Sequence, residues 1–245
     1  LAARTLPRQG RGAGAGHDDL SWLSRCGAPV FMARDAQHGA DLSLAARRLA
    51  ELALTPVVIL HDAQPDGAGV RAVGWPSPAA LRKLLGAPRD QVAAATPGQL
   101  ALYGAQRPRL PALLDLDRPT TSGAVLDPAA DARGQVAAAV WHDEPLSALV
   151  DRACADVAEV TGRRLARVST HGMERAKWVL VASGTLLPLA EAVADALRAT
   201  RRLPVGVLGL TLAHPLPDDQ LVAQLRGRAA VAVLERTALL GDGDP

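Results

Sequence analysis

Short apolar runs alternate with helically periodic segments over much of the chain. Residues 29–33 and 57–60 have the character of buried strands, and between them leucine and alanine recur at helical spacing over 35–54. Asp35 is placed to cap this helix, and Pro56 predicts its end because a proline disfavours helical geometry at the residue before it. The order strand, helix, strand predicts a βαβ unit whose parallel sheet is buried on both faces.

The pattern weakens after Asp62, where glycine and proline recur. A short helix is predicted at about 78–86, and another helix near 88–105. Residues 106–140 contain several prolines and no sustained period, so the sequence predicts an extended linker there.

Regular alternation returns after the linker. A helix capped by Asp143 is expected to end at Gly162, because its apolar residues share one face up to that glycine. Strands and helices then alternate; the predicted strands are 178–182, 205–210 and 229–234, and the predicted helices are 187–199 and 218–226. This order predicts an open, parallel α/β domain with right-handed crossovers.

The composition and the net charge of the chain exclude several classes of protein function. Hydrophobic residues make up 49% and charged residues 21% of the 245 residues, the balance of an ordinary globular protein. A net charge of +2 is too small to indicate a nucleic-acid partner. No apolar run approaches the roughly 18 residues that a membrane span requires, and the segment after Leu1 does not resemble a signal peptide. The expectation is a cytoplasmic protein, with further sequence upstream of Leu1.

The two cysteines limit the metal chemistry. Cys26 and Cys154 lie far apart and outside any CxxC motif. An iron–sulfur cluster or a structural zinc site requires about four ligands, so the chain is not expected to bind either group by itself.

Two glycine-containing motifs are interpreted as loops. Residues 10–15, GRGAGA, fit a loose G-x-G-x-x-A pattern, but a dinucleotide site needs a strand before it, and residues 4–9 contain proline and charge. The sequence Gly241-Asp-Gly243 follows the last predicted strand, where glycine and aspartate are common turn formers.

Three polar groups of the sequence are candidate sites. His17, Asp18 and Asp19 form one, and residues 142–144 form another, but neither has the histidine spacing of a local metal site. Residues 183–185, Ser-Gly-Thr, lie between a predicted strand and a predicted helix, where anions can bind. Because the other glycines and the lysine of a phosphate loop are missing, a plain turn is predicted there.

The order of several segments resembles the pyruvate:ferredoxin (flavodoxin) oxidoreductases, within the 2-oxoacid:acceptor oxidoreductases. The matching segments of the first half are GHDDL at 16–20, CGAPVFMARDAQ at 26–37, DLSLAARR at 41–48 and TPVVILHD at 55–62. Those of the second half are WVLVASG at 178–184, LPVGVLGL at 203–210, PLP at 215–217 and VAVLERT at 231–237, and PTTSG at 119–123 resembles the interdomain connection. The evidence is the order of these matches, since none is diagnostic alone.

The resemblance implies an α/β fold in two parts. Residues 1–105 would form a partial thiamine-diphosphate-binding, pyrimidine-type domain, 106–140 the extended linker, and 141–245 a transketolase-C-terminal-like domain. The implied activity is the oxidative decarboxylation of pyruvate or a related 2-oxoacid with coenzyme A. In the complete enzyme this would use thiamine diphosphate, magnesium and iron–sulfur clusters, none of which this chain is expected to bind alone.

The resemblance also implies one site residue and a set of partners. In the family an arginine shortly before the Gly-Asp-His-like loop binds the substrate carboxylate, and Arg4 is the matching position here. The implied partners are the missing thiamine-binding and iron–sulfur domains or subunits, ferredoxin or flavodoxin, and other copies in an oligomer.

Departures from the family pattern leave two further interpretations open. The glutamate-bearing upstream half of the first domain, the pyrophosphate domain and the cluster cysteines are missing, and residues 64–69 read Gln-Pro-Asp-Gly-Ala-Gly. The chain is therefore expected to be inactive alone. The main alternative is a truncated, non-catalytic relative with a structural or regulatory role; the beta-type subunit of a lipoamide-linked 2-oxoacid dehydrogenase fits the sequence less well.

Overall fold

A computed structural model describes most of the chain. The described residues are 2–3, 17, 20, 23–62, 69–113, 117, 127–138, 141 and 145–236. The strands are β1 (Ala2–Ala3), β2 (Val30–Met32), β3 (Val58–Asp62), β4 (Gln91–Ala93), β5 (Gln106–Pro108), β6 (Val168–His171), β7 (Trp178–Ser183), β8 (Val205–Leu210), β9 (Leu212–His214) and β10 (Ala230–Leu234). The helices are α1 (Ala36–Ala53), α2 (Pro78–Leu85), α3 (Pro97–Tyr103), α4 (Leu110–Leu113), α5 (Pro128–Ala138), α6 (Leu146–Thr161), α7 (Leu186–Arg201) and α8 (Asp218–Leu225), with a 3-10 turn at Ser24–Cys26.

The start of α1 and the end of α6 are where the sequence predicts them. The carboxylate of Asp35 accepts a hydrogen bond from the backbone N–H of His38 at 2.7 Å, which confirms the predicted N-cap of α1. Gly162 follows α6 in the left-handed conformation, with φ at 70°, and its N–H donates to the Ala158 carbonyl. This is the C-cap that the glycine predicts. Asp143 lies outside the described residues.

The second predicted α/β run is confirmed. The order of the strands in its sheet is β10-β7-β8-β6. Both β8 and β10 run parallel to β7, and α7 connects β7 to β8. The sequence does not predict β6, which adds an antiparallel edge beside β8.

The first sheet contains a strand from the second half of the chain. Its order is β1-β3-β2-β9, with β1 and β2 parallel to β3. The strand β9 follows β8 after one residue and pairs antiparallel with β2. The N–H of Met32 also donates to the carbonyl of Thr211 at 2.8 Å. The chain therefore contributes to both sheets between residues 205 and 214.

By its internal contacts the chain divides into two compact units. The first consists of 1–44, 56–75 and 165–245, and the second of 45–55 and 76–164. The first unit includes both four-stranded sheets; the predicted division at residues 105 and 140 stays a prediction. The buried core residues of its first sheet include Val30, Met32 and Leu60. Those beside its second sheet include Ala190, Ala194 and Val207.

The second unit has its own core and a buried charged side chain. Leu149, Val150 and Val157 form the buried face of α6. Arg107 on β5 is 0% exposed and donates from Nη1 to the Glu51 carboxylate at 2.9 Å and from Nε to the side-chain oxygen of Gln99 at 2.9 Å. A buried guanidinium is stable only when its donors are paired, so this network fixes how β5 packs.

Two predictions differ from the structure in this region. The helix predicted near 88–105 is present only as α3, because Thr96 caps it and Pro97 occupies its first turn. Before it, β4 pairs antiparallel with β5. The segment 106–140 is not extended throughout, since its described part contains β5, α4 and α5.

Where the structure describes the chain, no helix is long and apolar enough to cross a membrane.

Candidate functional site at the carboxyl ends of the strands

A buried polar cluster lies at the carboxyl ends of parallel strands from both sheets. Asp62 is the last residue of β3, Thr185 follows β7 and immediately precedes α7, and Arg236 lies two residues after β10. His17 is the fourth member. The carboxyl ends of parallel strands are where open α/β sheets bind ligands, so this cluster is a candidate site of the first unit.

The carboxylate of Asp62 is the centre of the cluster. His17 Nε2 lies 3.2 Å from Asp62 Oδ1, and the side chains of these two residues are 7% and 1% exposed. The backbone N–H of Thr185 donates to Asp62 Oδ2 at 3.0 Å, and its hydroxyl donates to the same oxygen. Arg236 Nη1 is 4.0 Å from Oδ2. Both carboxylate oxygens of Asp62 thus accept hydrogen bonds from groups of the protein.

The surroundings of Asp62 have opposing effects on its pKa. Burial raises the pKa, because it disfavours the charged form, whereas hydrogen bonds from His17 and from the side chain and backbone of Thr185 lower it. The net result is a pKa well below the usual value of 3.8. Asp62 is therefore a carboxylate at neutral pH, and the ring nitrogen of His17 that faces it is the donor.

Gly184 makes room for the cluster. Its φ of 58° lies in the left-handed region, which favours glycine. A Cβ at this position would lie 3.2 Å from both Asp62 Oδ2 and His17 Nε2. The predicted plain turn at 183–185 is thus an anion-binding turn, and the anion is the chain's own Asp62.

The predicted substrate-binding residue, Arg4, lies outside the described residues, but the strand before it does not. Ala2 and Ala3 pair in parallel with His61 and Asp62. Ala3, the residue before Arg4, therefore lies beside Asp62, and the side chain of His17 binds the carboxylate of Asp62.

A second link joins the first sheet to α7. Arg34, two residues after β2, donates from Nη2 to Glu191 at 2.7 Å and from Nη1 at 3.2 Å. Two parallel hydrogen bonds of this kind fix orientation as well as distance. The helix α7 is thus attached to the first sheet at its N-terminus, through Thr185, and on its second turn, through Glu191.

Another histidine, His38 on α1, is held in its neutral form. Burial lowers the pKa of His38 to about 4, against an ordinary value of 6.5, despite the opposing charge of Asp35. Its Nδ1 accepts from the backbone N–H of Arg34 at 3.2 Å. At neutral pH, His38 is a hydrogen-bond acceptor that supports the start of α1.

The residues of the chain do not fit an iron–sulfur cluster. The sequence has only Cys26 and Cys154, whereas a cluster takes about four thiolates. Among the described residues, no group of three or more histidine, cysteine, aspartate or glutamate side chains is arranged to hold a metal ion. The motifs at 10–15, 142–144 and 241–243, and Asp18 and Asp19, lie outside the described residues.

Sequence reasoning noted His17 and Thr185 but missed Asp62. The available signal was position: an aspartate directly after a buried apolar strand lies at the carboxyl end of a parallel sheet. The pairing itself joins residues 123 positions apart, and no local pattern specifies that.

Comparison with known proteins supports one family. No protein-family model matches the chain. Over 133 residues, 54% of its length, the chain is 30% identical to pyruvate synthase subunit PorA of Methanothermobacter thermautotrophicus and covers 34% of that protein. It also resembles the solved 2-oxoglutarate:ferredoxin oxidoreductase of Magnetococcus marinus, with a TM-score of 0.50, 16% identity, and coverage of 95% of this chain and 40% of that one.

The chain spans about a third of the curated relative's length and 40% of the solved chain's length. The likeness to the solved structure, at 16% identity, shows the fold, and the curated relative is a subunit of pyruvate synthase. These two likenesses support the resemblance to the 2-oxoacid:ferredoxin oxidoreductases that the order of the sequence segments predicts.

Proposed function

We propose that this chain is the alpha-like portion of a 2-oxoacid:ferredoxin or flavodoxin oxidoreductase and is inactive by itself. The observation that carries the proposal is the 30% identity to a pyruvate synthase subunit over 54% of the chain. The solved relative has 2-oxoglutarate, coenzyme A and succinyl-CoA bound, which supports a 2-oxoacid as the substrate class. The proposed reaction is the coenzyme A-dependent oxidative decarboxylation of pyruvate or a related 2-oxoacid.

Arg4 is proposed to bind the carboxylate of the 2-oxoacid. A guanidinium can donate two parallel hydrogen bonds to a carboxylate, which fixes the orientation of a small substrate. The pairing of Ala3 with Asp62 supports this role, because Arg4 is the next residue after a strand end that lies at the polar cluster. The side chain of Asp62 is saturated by His17 and Thr185, so its own role is structural.

The cofactors are proposed to be held by partner domains or subunits. Thiamine diphosphate, when bound with magnesium, supplies the carbanion-stabilising chemistry of decarboxylation, and iron–sulfur clusters accept the electrons. The two cysteines of this chain cannot ligate such a cluster alone. Its own contribution is to bind and orient the substrate carboxylate. Because the reaction consumes coenzyme A and reduces a small electron carrier, we expect a cytoplasmic, oligomeric complex.

The experiment is an activity assay of the complex purified from its source, in the wild-type form and with Arg4→Ala. We expect coenzyme A-dependent reduction of ferredoxin or a viologen dye by a 2-oxoacid. Loss of a charge-assisted, two-bond contact should lower kcat/KM by about tenfold to a hundredfold. The control is Arg89→Ala, an exposed arginine of the second unit, which should leave kcat/KM unchanged.

The two possible failures have different meanings. An active complex that is unaffected by Arg4→Ala would contradict the role of Arg4 but not the family function. A stable complex with no 2-oxoacid activity would instead support the alternative, a non-catalytic structural or regulatory subunit.

A further inference from the structure

We propose that the exposed edge of the second sheet is a dimer interface, in which β10 pairs antiparallel with β10 of a second copy of this chain. The surface consists of β10 (Ala230–Leu234), Trp178 at the start of β7, and Leu189 and Val193 on α7; we call it the β10 surface. The proposal concerns only the assembly of the chain, so it does not depend on the 2-oxoacid function.

The first observation is that β10 is uncovered. Parallel sheets occur almost only where both faces are covered, usually by helices. All five residues of β10 are nevertheless exposed, and Val233 is 62% exposed. Because successive side chains of a strand point to opposite faces, this exposure leaves both faces of β10 open. Among the described residues, β10 pairs with β7 alone, so its outer edge is open as well.

The two edge strands of this sheet differ in chemistry. The sequence of β6, at one edge, is Val-Ser-Thr-His, and its His171 pairs with Asp195. The sequence of β10, at the other edge, is Ala-Val-Ala-Val-Leu, without charge, proline or glycine. Its register with β7 is continuous, so it contains no bulge. Natural edge strands use such charges, prolines and bulges to prevent association, and β10 has none of them. This edge is therefore suited to pairing with another strand.

The apolar surface continues from β10 across the face of the sheet that α7 covers. Ala232 pairs with Leu180, and Leu234 pairs with Ala182, so the side chains of each pair point to the same face. Leu180 and Ala182 pack against the buried side of α7. Trp178 lies on this face by alternation and is exposed. The face is thus covered at β7 but open at β10.

The helix α7 extends the same surface. Leu189 and Val193 are exposed and lie one turn apart, and Leu189 is 60% exposed. Val193 lies two residues before Asp195, whose carboxylate contacts His171 of β6. Two residues correspond to about 200° around a helix, so Leu189 and Val193 lie on the side of α7 away from β6. That is the side of β10, because β6 and β10 are the opposite edges of the sheet.

The charges at the ends of β10 favour a second copy in the antiparallel orientation. Lys177 and Arg226 are exposed near the starts of β7 and β10, and Glu235 is exposed directly after β10. The next residue, Arg236, has its own carboxylate neighbour in Asp62. In an antiparallel pair, the basic start of one strand lies beside the acidic end of the other, whereas a parallel pair would bring like charges together. A two-fold axis forms this contact twice and closes the assembly at a dimer.

The first test is sedimentation velocity of the full chain over a range of micromolar concentrations. We expect a reversible dimer with twice the mass of 25.4 kDa. Val233→Lys should raise the Kd of the dimer by at least about a hundredfold, because it brings two unpaired ammonium groups into the interface. The matched control is Thr170→Lys, at an exposed position of β6, which should leave the Kd unchanged.

Two outcomes of this test would overturn the proposal. One is a wild-type chain that stays monomeric at every concentration. The other is a dimer whose Kd is unaffected by Val233→Lys, or is raised equally by Thr170→Lys.

A second variant covers the case in which Val233→Lys does not fold. Leu189→Glu changes an exposed position on the surface of α7, which the folded monomer should tolerate. It should raise the Kd by about tenfold, because the two-fold axis brings two carboxylates into an apolar contact. Circular dichroism checks the fold of both variants. An unchanged Kd in folded Leu189→Glu would contradict the proposed surface.

Charge reversal tests the orientation of the two strands. At low salt, Arg226→Glu and Glu235→Arg should each weaken the dimer severalfold, because each gives both ends of β10 the same charge. The double variant should restore the wild-type Kd. A double variant that is weaker than either single variant would show that the opposite charges do not meet across the interface, and the antiparallel arrangement would be wrong.

Hydrogen–deuterium exchange distinguishes a second copy from another occupant. Peptides that cover 226–236 should become protected as the concentration of the full chain rises, because the outer amides of β10 gain acceptors. If the chain stays monomeric and these peptides are protected only in the complex purified from its source, another polypeptide covers β10 and the proposed dimer is wrong. Neither result depends on 2-oxoacid activity, so failure of the dimer and failure of the proposed function are separate outcomes.

Discussion

Two clusters in the first unit share an aspartate, a histidine and an arginine but differ in burial. In one, Asp62 lies between His17 and Arg236, and in the other Asp195 on α7 lies between His171 and Arg198.

The surroundings of the two carboxylates differ more than their partners do. The side chain of Asp195 is 56% exposed and that of Asp62 is 1% exposed. The pKa of Asp195 is lowered mainly by its hydrogen bond from His171. That of Asp62 is lowered although burial acts against it. A buried carboxylate is tolerated only when it is fully hydrogen-bonded, while water can replace the partners of an exposed one. The comparison therefore predicts that burial makes the loss of the Asp62 carboxylate more costly than the loss of the Asp195 carboxylate.

Removing each carboxylate is expected to give the largest difference between the clusters in the free energy of unfolding. Asp62→Ala is expected to lower the free energy of unfolding by about 3 kcal/mol, because it leaves His17 and the donors of Thr185 without their buried acceptor. Asp195→Ala should have little effect, because its partners are partly exposed to water. Urea unfolding at pH 7 measures both changes, and equal effects would contradict the comparison.

The same pair of variants can be tested in acid. Since the pKa of folded Asp62 is below its usual 3.8, its stabilisation is present above that value and is lost as the pH falls below it. The wild type should therefore lose more stability than Asp62→Ala between pH 5 and the acid transition.

His38 tests the effect of burial without a bonded carboxylate. Its pKa of about 4 in the folded chain means that, between pH 6.5 and 4, the unfolded state takes up a proton that the folded state does not. Stability should fall by about 2 kcal/mol over this range, less than the full shift because the ring is partly exposed. His38→Asn removes the titrating group and should flatten this part of the pH profile, measured by urea unfolding; an unchanged profile would exclude His38 as its source.

Two glycines beside the clusters should differ in how well they tolerate a side chain. Gly184 and Gly172 both have φ near 60°, so alanine costs about 1 kcal/mol of backbone strain at either position. At Gly184 the new Cβ would also crowd the buried Asp62 and His17, whereas at Gly172 it meets the end of the flexible Arg198.

We therefore expect Gly184→Ala to destabilise the chain by about 2 kcal/mol, more than Gly172→Ala. Gly227→Ala, with φ at 76° and nothing within 4 Å of the added Cβ, measures the strain alone. Thermal unfolding of the three variants checks the ranking, and a Gly172 variant less stable than the Gly184 variant would reverse it.

The smallest effect is expected at the arginine of the buried cluster. Arg236 Nη1 is 4.0 Å from Asp62, and its side chain is 35% exposed. After screening by solvent, Arg236→Gln should cost less than about 1 kcal/mol. A loss as large as that of Asp62→Ala would show that the ion pair, and not the hydrogen bonds from His17 and Thr185, stabilises the carboxylate.

Local signals made α1, α6 and the strands of the second sheet predictable. Apolar periodicity, the Asp35 cap and the glycine after α6 all act within a few residues. The antiparallel pair of β4 and β5 is not predicted from the sequence. Strands of three residues give almost no periodicity, and a helix lies between these two strands in the chain.

Long-range pairings were the part that the sequence could not specify. The strand β9 is three residues long and joins a sheet formed by the other half of the chain. The contact between Asp62 and Thr185 likewise depends on how the two sheets meet. The sequence around Arg107 is typical of an exposed arginine, although this side chain is fully buried against Glu51. Each case requires tertiary packing, which a local pattern does not encode.

The most direct test of the central claim is native mass spectrometry of the protein purified from its source, with iron and thiamine quantified in the same sample. As the alpha-like portion of a 2-oxoacid oxidoreductase, the chain should be found in a complex well above 25.4 kDa that contains both iron and thiamine diphosphate. A cofactor-free species at 25.4 kDa, or a complex with a cofactor-free partner, would contradict the claim and favour a non-catalytic subunit.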